Sequence, residues 1–491
     1  MNWVNFLHIY QPFNQTPDIL EKVVNESYKK IFSGLAKNKK AKLVLNINAS
    51  LTDLLYKQGY KSLINQIRKL AQNGQIEFTE SAKFHSLLPL LPEKEIVRQI
   101  KLNHYTNKKY FGRYYKPEGF FPPELAYSKR MAKIIHKLGY KWMVLDDIAF
   151  DGTEHDLPAD RLYQIEGLED FFIFFRNRRL SNAILSAVIR EEKDFFKALS
   201  PDQQKPGTFV LTLMDGETFG HHRPGLEKFL FNLYRAPNLK SKLLKEIFGK
   251  IKKIQIIDPV PSNWSSTEEE LKKGLPYARW YNPQNKIQML QWQFLKRILK
   301  KAKHLSHKNP RYRTIRDKID VCLASDQFWW ASAEPWWSIE MIERGAYNML
   351  LALKALTKNQ KEREWAQKQY HKILALAFEW QRKGIVRAKQ NKEDLPFKRA
   401  RKKIPLKKRV KKEWFLGLLR QLRKAEEKAV KKRQYEKAIL WRDAAYKLEH
   451  EEDIYDTVSA VDLLREQENI SNLDKVIEDD LKTLKKRKRK I

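Results

Sequence analysis

The chain has 491 residues, which is enough for two or three domains and a large hydrophobic core. Its one cysteine, Cys322, excludes an intrachain disulfide bond and a cysteine metal cluster. Lys and Arg outnumber Asp and Glu by 96 to 59, and the net charge of +37 favours polyanionic partners or high solubility. No apolar run approaches the length of about 18 residues that spans a membrane, and the start lacks a signal-peptide pattern. We therefore predict a cytoplasmic protein without a membrane partner.

Seven apolar runs before residue 216 each end in a polar or proline-containing segment. These runs are Trp3–Ile9, Ala41–Ile47, Gln75–Thr79, Gly119–Phe121, Lys141–Leu145, Phe171–Phe175 and Phe209–Met214. Stretches of helical periodicity lie between them, at Leu51–Leu70, Lys94–Phe111 and Ser128–Leu138. Alternating strands and helices predict an α/β fold with a parallel sheet. Because every run ends in polar residues, we predict a closed or nearly closed barrel with one functional rim.

Beyond the seventh run the pattern changes. An eighth run, Lys253–Asp258, is ambiguous because two prolines soon follow it. After it, helical periodicity marks Ile287–Leu305, Ile339–Leu356 and Glu362–Arg382. We therefore predict four parts: a barrel over residues 1–260, a helical domain over 261–385 that completes the active site, a basic linker over 386–412, and a charged helical extension over 413–491.

The most informative motif is Asp215-Gly216-Glu217, at the end of the seventh run. Histidines follow it at His221 and His222. Barrels of alternating strands and helices carry their chemistry at the carboxyl ends of the strands. Asp-Gly is also a common turn pair, and loop histidines are often solvated. The position of the motif nevertheless favours a catalytic role.

Five ordered blocks resemble glycoside hydrolase family 57, whose members are retaining α-glucan enzymes with a (β/α)7 barrel and a helical domain. The blocks are His8–Pro12, Gly74–Glu77 with His85 and Pro89, Pro122–Tyr127, Leu213–Gly220 and Ala324–Trp330. The resemblance implies an α-glucan or maltooligosaccharide substrate and no cofactor or metal. One departure matters: the family's first block usually carries a second histidine, and this chain has Tyr10 there. We therefore expect different polar contacts in the −1 subsite.

The resemblance also implies roles for individual residues. Glu124 matches the nucleophile and Asp215 the general acid/base, which fits the two carboxyl groups that retaining cleavage requires. For Asp215 to hold a proton near neutral pH, we expect burial and the Glu124 charge to raise its pKa. The remaining matched positions are expected to bind substrate; these are His8, Gln11, His85, Glu217, His221 and Asp326.

Tryptophans are frequent near the fifth block. Trp329-Trp330 and Trp336-Trp337 flank a short segment, and stacking of sugar rings on aromatic planes suits a glucan groove. We place Trp329 and Trp330 among the substrate-binding residues, although tryptophans also fill seams between domains. For Trp292, within a helical apolar pattern, core packing is favoured.

Two other functions stay open. A metal-dependent polysaccharide deacetylase or α-mannosidase-like hydrolase would gather His8, Asp215, His221 and His222 around a divalent ion. The first block lacks the His-x-Asp pair expected of such a site. A non-catalytic glucan-binding protein is the third reading, and intact carboxyl groups at Glu124 and Asp215 speak against it.

The C-terminal region is highly basic. Residues 422–448 resemble a UVR motif, a helical hairpin of excision-repair and protease-adaptor proteins, which implies a protein-contact module. The basic residues also favour polyanion binding. Because all five blocks precede Trp337, we predict that residues 386–491 are dispensable for glycoside chemistry. The sequence leaves open the choice among hydrolysis, transfer and branching, the linkage preference and the oligomeric state.

Overall fold

The computed structural model describes residues 1–390, 410–450, 464 and 473–488. Its strands, in chain order, are β1 (Asn2–Ile9), β2 (Leu43–Ile47), β3 (Ile76–Phe78), β4 (Gly119–Phe120), β5 (Trp142–Asp146), β6 (Leu162–Ile165), β7 (Phe172–Arg176), β8 (Phe209–Asp215), β9 (Lys240–Ser241) and β10 (Ile254–Ile257).

Seven of these strands form the barrel, in the order β1, β2, β3, β4, β5, β7, β8. Parallel ladders join β3, β2, β1 and β8, and others join β4, β5 and β7. Fewer bonds bridge the two gaps. The Glu80 amide donates to the Gly119 carbonyl at 2.9 Å, and the Glu80 carbonyl accepts from the Phe121 amide at 2.8 Å. The Asn177 amide donates to the Leu211 carbonyl at 2.8 Å. The predicted (β/α)7 barrel is confirmed, and its seven strands are the seven predicted runs.

Two further strands extend the sheet of β4, β5 and β7 outside the barrel. β6 runs antiparallel to β7, with Tyr163 opposite Ile173, and β10 pairs in parallel with β6. The ambiguous run Lys253–Asp258 is therefore an edge strand and not an eighth barrel strand. β6 was not predicted, because Gln164 interrupts its four residues and the charged residues Arg161 and Glu166 flank them, so that no apolar run stands out.

The barrel interior is apolar at one end and polar at the other. Alternate residues of each strand point inward, so Val4 and Phe6 of β1 pack with Phe174 of β7 and Leu211 of β8. Two residues further along each strand, the next inward-facing side chains are polar and form the rim. The rim residues set by this alternation are His8, Asn46, Asp146, Arg176 and Asp215.

Helices cover the barrel and follow it. In the barrel region they span Pro17–Val23, Lys29–Lys37, Ala49–Lys57, Lys61–Gln72, Glu93–Phe111, Lys129–Lys137, Arg178–Leu185, Glu192–Ala198, Leu226–Arg235 and Leu244–Phe248, with a π-helical turn at Val24–Tyr28. After it they span Glu268–Lys272, Lys286–Ala302, Tyr312–Cys322, Asp326–Trp330, Ile339–Leu356, Gln360–Arg382 and Ile385–Gln390. The predicted helix Leu51–Leu70 is two helices, because the chain turns at Gly59 with a φ of +86°.

The helices after residue 260 pack onto the barrel region through ion pairs that are largely buried. Arg98 contacts Asp320 at 2.5 Å, and Arg316 contacts Glu95 at the same distance. A β-bridge joins Ser86 to Ala324, at the start of the fifth sequence block. These contacts bring the following residues, Ser325 and Asp326, to the barrel rim.

The C-terminal helices form a small core of their own. They span Lys412–Lys431, Tyr435–His450 and Leu473–Lys488, and Phe415, Leu422, Trp441 and Ile477 lie in their shared apolar cluster. The hairpin agrees in position with the predicted UVR-like segment, whose identity stays a prediction. Most of the predicted basic linker, residues 391–409, lies outside the described residues. Polyanion or protein binding by this region also stays a prediction.

None of the helices in the described ranges combines the length and the apolar character needed to cross a lipid bilayer.

Candidate active site

His8 and Asp215 are neighbours on adjacent strands at the polar rim. Strand register places His8 opposite both Asp215 of β8 and Asn46 of β2. The Asn46 side-chain nitrogen donates to Thr79, so its oxygen accepts from His8 Nδ1 at 2.8 Å. Burial lowers the pKa of His8 to about 4 although the Asn46 bond opposes this shift. His8 is therefore a neutral ring near pH 7, with Nε2 left as an acceptor.

Glu124 occupies a sharp turn immediately after β4. Its φ of +63° is left-handed, a conformation that is costly for a residue with a side chain and that clusters at functional sites. Trp264 secures the turn twice, because its backbone amide donates to the Glu124 carbonyl at 3.2 Å and its indole Nε1 donates to Glu124 Oε2 at 2.8 Å. The carboxyl group is thus aimed by a residue of the following region.

The two predicted catalytic carboxyl groups share one electrostatic environment. Burial raises the pKa of Glu124 well above its usual range, and the Asp215 charge adds to that rise. Burial raises the pKa of Asp215 to about 6, as expected, but the charge that acts on it is that of Arg176, which lowers the pKa, and not that of Glu124. The larger rise therefore falls on Glu124, which has to be ionised before it can attack, whereas Asp215 has to carry the proton that a glycosidic oxygen receives.

Four rings stack along one wall of the site. Tyr10 lies 4.3 Å from His85, His85 lies 5.0 Å from His8, and His8 lies 4.5 Å from Phe121, between ring centroids. His85 Nδ1 also approaches Glu124 Oε1 at 3.5 Å and Ser325 Oγ at 3.3 Å. The buried Nε2 of His85 has no hydrogen-bond partner in the described residues. Burial keeps the pKa of His85 well below 6.5, so this ring is neutral.

Tyr10 connects the barrel to the helical region. Its hydroxyl donates to Asp326 Oδ2 at 2.6 Å, and its backbone amide donates to Glu217 Oε1 at 3.2 Å. Burial raises the pKa of Asp326 to about 6, which the Tyr10 bond opposes. The residue that departs from the family pattern therefore contacts two of the predicted substrate-binding carboxylates.

Glu217 is enclosed by donors. Tyr28, Gln11 and the Tyr10 amide all donate to its Oε1 atom. Burial and the Asp215 charge raise its pKa to about 7, and the Tyr28 and Gln11 bonds oppose the rise. These contacts anchor the loop after β1 against the turn after β8.

The other predicted substrate residues are placed differently. His221 Nδ1 contacts Glu26 at 2.7 Å, and its backbone amide donates to the Glu217 carbonyl. Trp329 stacks on Trp280, and Trp330 meets Trp336 edge-on. The structure thus gathers His8, Gln11, His85, Glu217 and Asp326 around Glu124 and Asp215. Catalytic and sugar-binding roles for all of these residues stay predictions.

Several contributors to the site are not among the predicted site residues. These contributors are Trp264, Arg176, Asn46 and Tyr28. Inward alternation along β2 and β7 is a signal that would have found Asn46 and Arg176. Trp292 is buried against Phe328, with ring centroids 4.3 Å apart, as the core-packing prediction expected.

The residues that a metal-dependent hydrolase would use do not come together as a set of metal ligands. Across the described ranges, no three His, Cys, Asp or Glu side chains converge as they would around a metal ion. His8 contacts Asn46, whereas His221 contacts Glu26. The four residues named for that reading therefore do not form one coordination site.

A seven-stranded barrel with two partly buried carboxyl groups at its rim suits an enzyme that cleaves carbohydrates. The model of the family described as "Glycosyl hydrolase family 57" matches residues 4–258, more than half of the chain. The chain therefore belongs to glycosyl hydrolase family 57.

Individual relatives agree with this placement. Alpha-amylase 1 of Dictyoglomus thermophilum is 28% identical over 220 residues, which cover 44% of this chain and 31% of that protein. The 4-alpha-glucanotransferase structure from Thermococcus litoralis has a TM-score of 0.59 at 17% identity, covering 73% of this chain and 60% of that one. The branching enzyme structure from Pyrococcus horikoshii has a TM-score of 0.58 at 16% identity, covering 77% of this chain and 96% of that one. The chain spans about a third to just over half of the length of three curated α-amylases that it matches.

Proposed function

We propose that this protein cleaves or transfers α-glucan chains with retention of anomeric configuration, through a glycosyl-enzyme intermediate on Glu124. The observation that carries the proposal is the placement of two carboxyl groups, Glu124 after β4 and Asp215 at the end of β8, at the polar rim of a family 57 barrel. In the first step Glu124 attacks the anomeric carbon while Asp215 protonates the leaving oxygen. In the second step Asp215 deprotonates water or a sugar hydroxyl, which displaces Glu124.

Product analysis tests the proposal and chooses among its variants. The protein is incubated with maltoheptaose, and the products are followed by chromatography and by NMR of the first-formed anomer. Shorter chains alone indicate hydrolysis, longer linear chains indicate transfer, and new branch linkages indicate branching. Formation of the β-anomer first contradicts retention. Release of acetate from an acetylated polysaccharide, or binding of maltoheptaose without turnover, contradicts the proposal itself.

Tyr10→Phe should separate substrate binding from chemistry. Loss of the hydroxyl removes the bond that lowers the pKa of Asp326, so that pKa rises above about 6. Because ionised Asp326 is the form that accepts a sugar hydroxyl and less of it is ionised in the variant, binding at pH 6 should weaken several-fold. We expect KM to rise more than kcat falls, and the acid limb of kcat/KM to move to higher pH. An unchanged KM across pH 5–8 would contradict this role.

Removal of residues 391–491 should leave the rate on short maltooligosaccharides within about threefold, because a remote charged segment contributes little to barrel stability. The cut falls after Gln390 and not at residue 386, the boundary predicted from the sequence, because helix Ile385–Gln390 supports the loop at residues 331–337. Lys389 contacts Glu334 at 2.9 Å, and the Gln390 side chain donates to the Pro335 carbonyl at 2.7 Å. A chain ending at Gly384 is the matched comparison and should bind maltoheptaose more weakly. A folded but inactive chain ending at Gln390 would contradict the prediction.

A further inference from the structure

Arg176 lies at the end of β7, at the inward rim position set by strand alternation, and it is 2% exposed. Every nitrogen of its guanidinium group has an acceptor. Nε donates to Asp146 Oδ2 at 2.5 Å, Nη1 to the Leu213 carbonyl at 3.0 Å and Nη2 to Asn182 Oδ1 at 2.7 Å. The Leu213 bond ties the group directly to the strand that ends at Asp215.

The same guanidinium group also reaches the other side of the site. It lies over the Trp264 ring at 5.7 Å from the centroid, within the range of a cation–π contact. The Trp264 indole nitrogen in turn donates to Glu124 Oε2 at 2.8 Å. Arg176 is therefore connected to Asp215 through β8 and to Glu124 through Trp264.

A second charged layer holds Arg176 in place. Asp146 is fully buried and also accepts from Arg178 Nη1 at 2.6 Å. Arg178 continues to Glu154 at 3.2 Å, and its backbone amide donates to Asp147 Oδ2 at 3.0 Å. Because it has fixed partners on all sides, the planar guanidinium group of Arg176 is held in one orientation. The ammonium group of a lysine would not reproduce these contacts.

We propose that Arg176 is a positioning residue for both catalytic carboxyl groups: it sets the charge environment of Asp215 and, through Trp264, the orientation of Glu124. This inference rests on the proposed glycoside chemistry and adds to it a residue outside the five family blocks. Lysine at position 176 would keep the charge and lose the planar stacking and the forked hydrogen bonds. Methionine would lose both.

The charges around Asp215 set the expected pH response. The carboxyl groups of Glu124 and Glu217 and the neutral ring of His8 face it within the site, and Asp146 and Arg178 lie behind Arg176. The Arg176 charge lowers the Asp215 pKa, against the larger effect of burial. Removing this cation raises the pKa of Asp215. The alkaline limb of kcat/KM therefore moves to higher pH, because the protonated acid persists further.

The test compares Arg176→Met and Arg176→Lys with the matched control Arg179→Met, whose exposed side chain pairs with Asp156 at 2.9 Å. Each full-length variant is assayed from pH 4 to 9 on maltoheptaose and on α-maltosyl fluoride, whose leaving group needs no proton. Circular dichroism and thermal unfolding establish that each variant is folded.

We expect Arg176→Met to lose roughly 10²-fold or more in kcat on maltoheptaose, with the alkaline limb shifted upward by about one pH unit. Arg176→Lys should keep the wild-type limb and still lose kcat on both substrates, because Glu124 is no longer held by a stacked Trp264. The control should match the wild type. If Arg176→Met does not fold, the test is the kcat of Arg176→Lys on α-maltosyl fluoride.

A folded Arg176→Lys enzyme with wild-type kcat on both substrates overturns the link to Glu124, and an unshifted alkaline limb in a folded Arg176→Met enzyme overturns the link to Asp215. Absence of turnover by the wild type on either substrate is a different result, because it contradicts the proposed function itself.

Discussion

Glu124→Gln and Asp215→Asn should each reduce turnover of maltoheptaose by roughly 10³-fold or more while leaving the fold intact. Both substitutions keep the size of the side chain and remove the group that attacks carbon or transfers the proton. In Glu124→Gln the Trp264 indole can still donate to the oxygen of the new amide, so the turn after β4 is retained. Steady-state assays, with circular dichroism of each variant, provide the measurement.

Azide distinguishes the two roles. With α-maltosyl fluoride, Asp215→Asn still forms the glycosyl-enzyme, and azide should then give the α-glycosyl azide by displacing Glu124. A Glu124→Gly variant offers azide the space of the missing nucleophile, and direct attack should give the β-glycosyl azide. Reversed stereochemistry would exchange the two assignments. Wild-type rates in either carboxamide variant would remove that residue from the mechanism.

Asp146→Ala should destabilise the barrel by about 3–5 kcal/mol, because it leaves two buried guanidinium groups without their carboxylate. Arg176 contacts Asp146 at 2.5 Å and Arg178 contacts it at 2.6 Å, and all three side chains are almost completely buried. The measurement is urea unfolding followed by near-ultraviolet circular dichroism, with activity as a second probe of the same transition.

Asp258→Ala is the matched control for that measurement. Asp258 contacts Lys129 at 2.8 Å but is about half exposed, so its loss should change stability by less than about 1 kcal/mol. Equal shifts for the two variants would mean that the buried network contributes no more than a surface ion pair. A more stable Asp146→Ala protein would show that the network is retained for the site and not for the fold.

The barrel follows from local patterns in the chain. Each strand is a short apolar run with alternate residues facing inward, and this two-residue period carries polar residues to the rim at His8 and Asp215. The alternation of strands with helices predicts a parallel sheet, and the polar residues that end each run favour its closure into a barrel with one functional rim. β6 and the split at Gly59 were missed because a strand interrupted by a polar residue and a single left-handed turn leave weak signals in the sequence pattern.

The barrel, its polar rim and the family blocks could all be predicted from the chain alone, because they depend on local alternation and on residue types at fixed spacing. The contacts that the rim residues make with distant parts of the chain could not be predicted in this way. Tyr10 bonds to Asp326 across 316 positions and Trp264 to Glu124 across 140, and neither pairing follows from spacing. These groups meet only when the barrel closes and the helical region docks against it, and both events depend on how the whole chain packs.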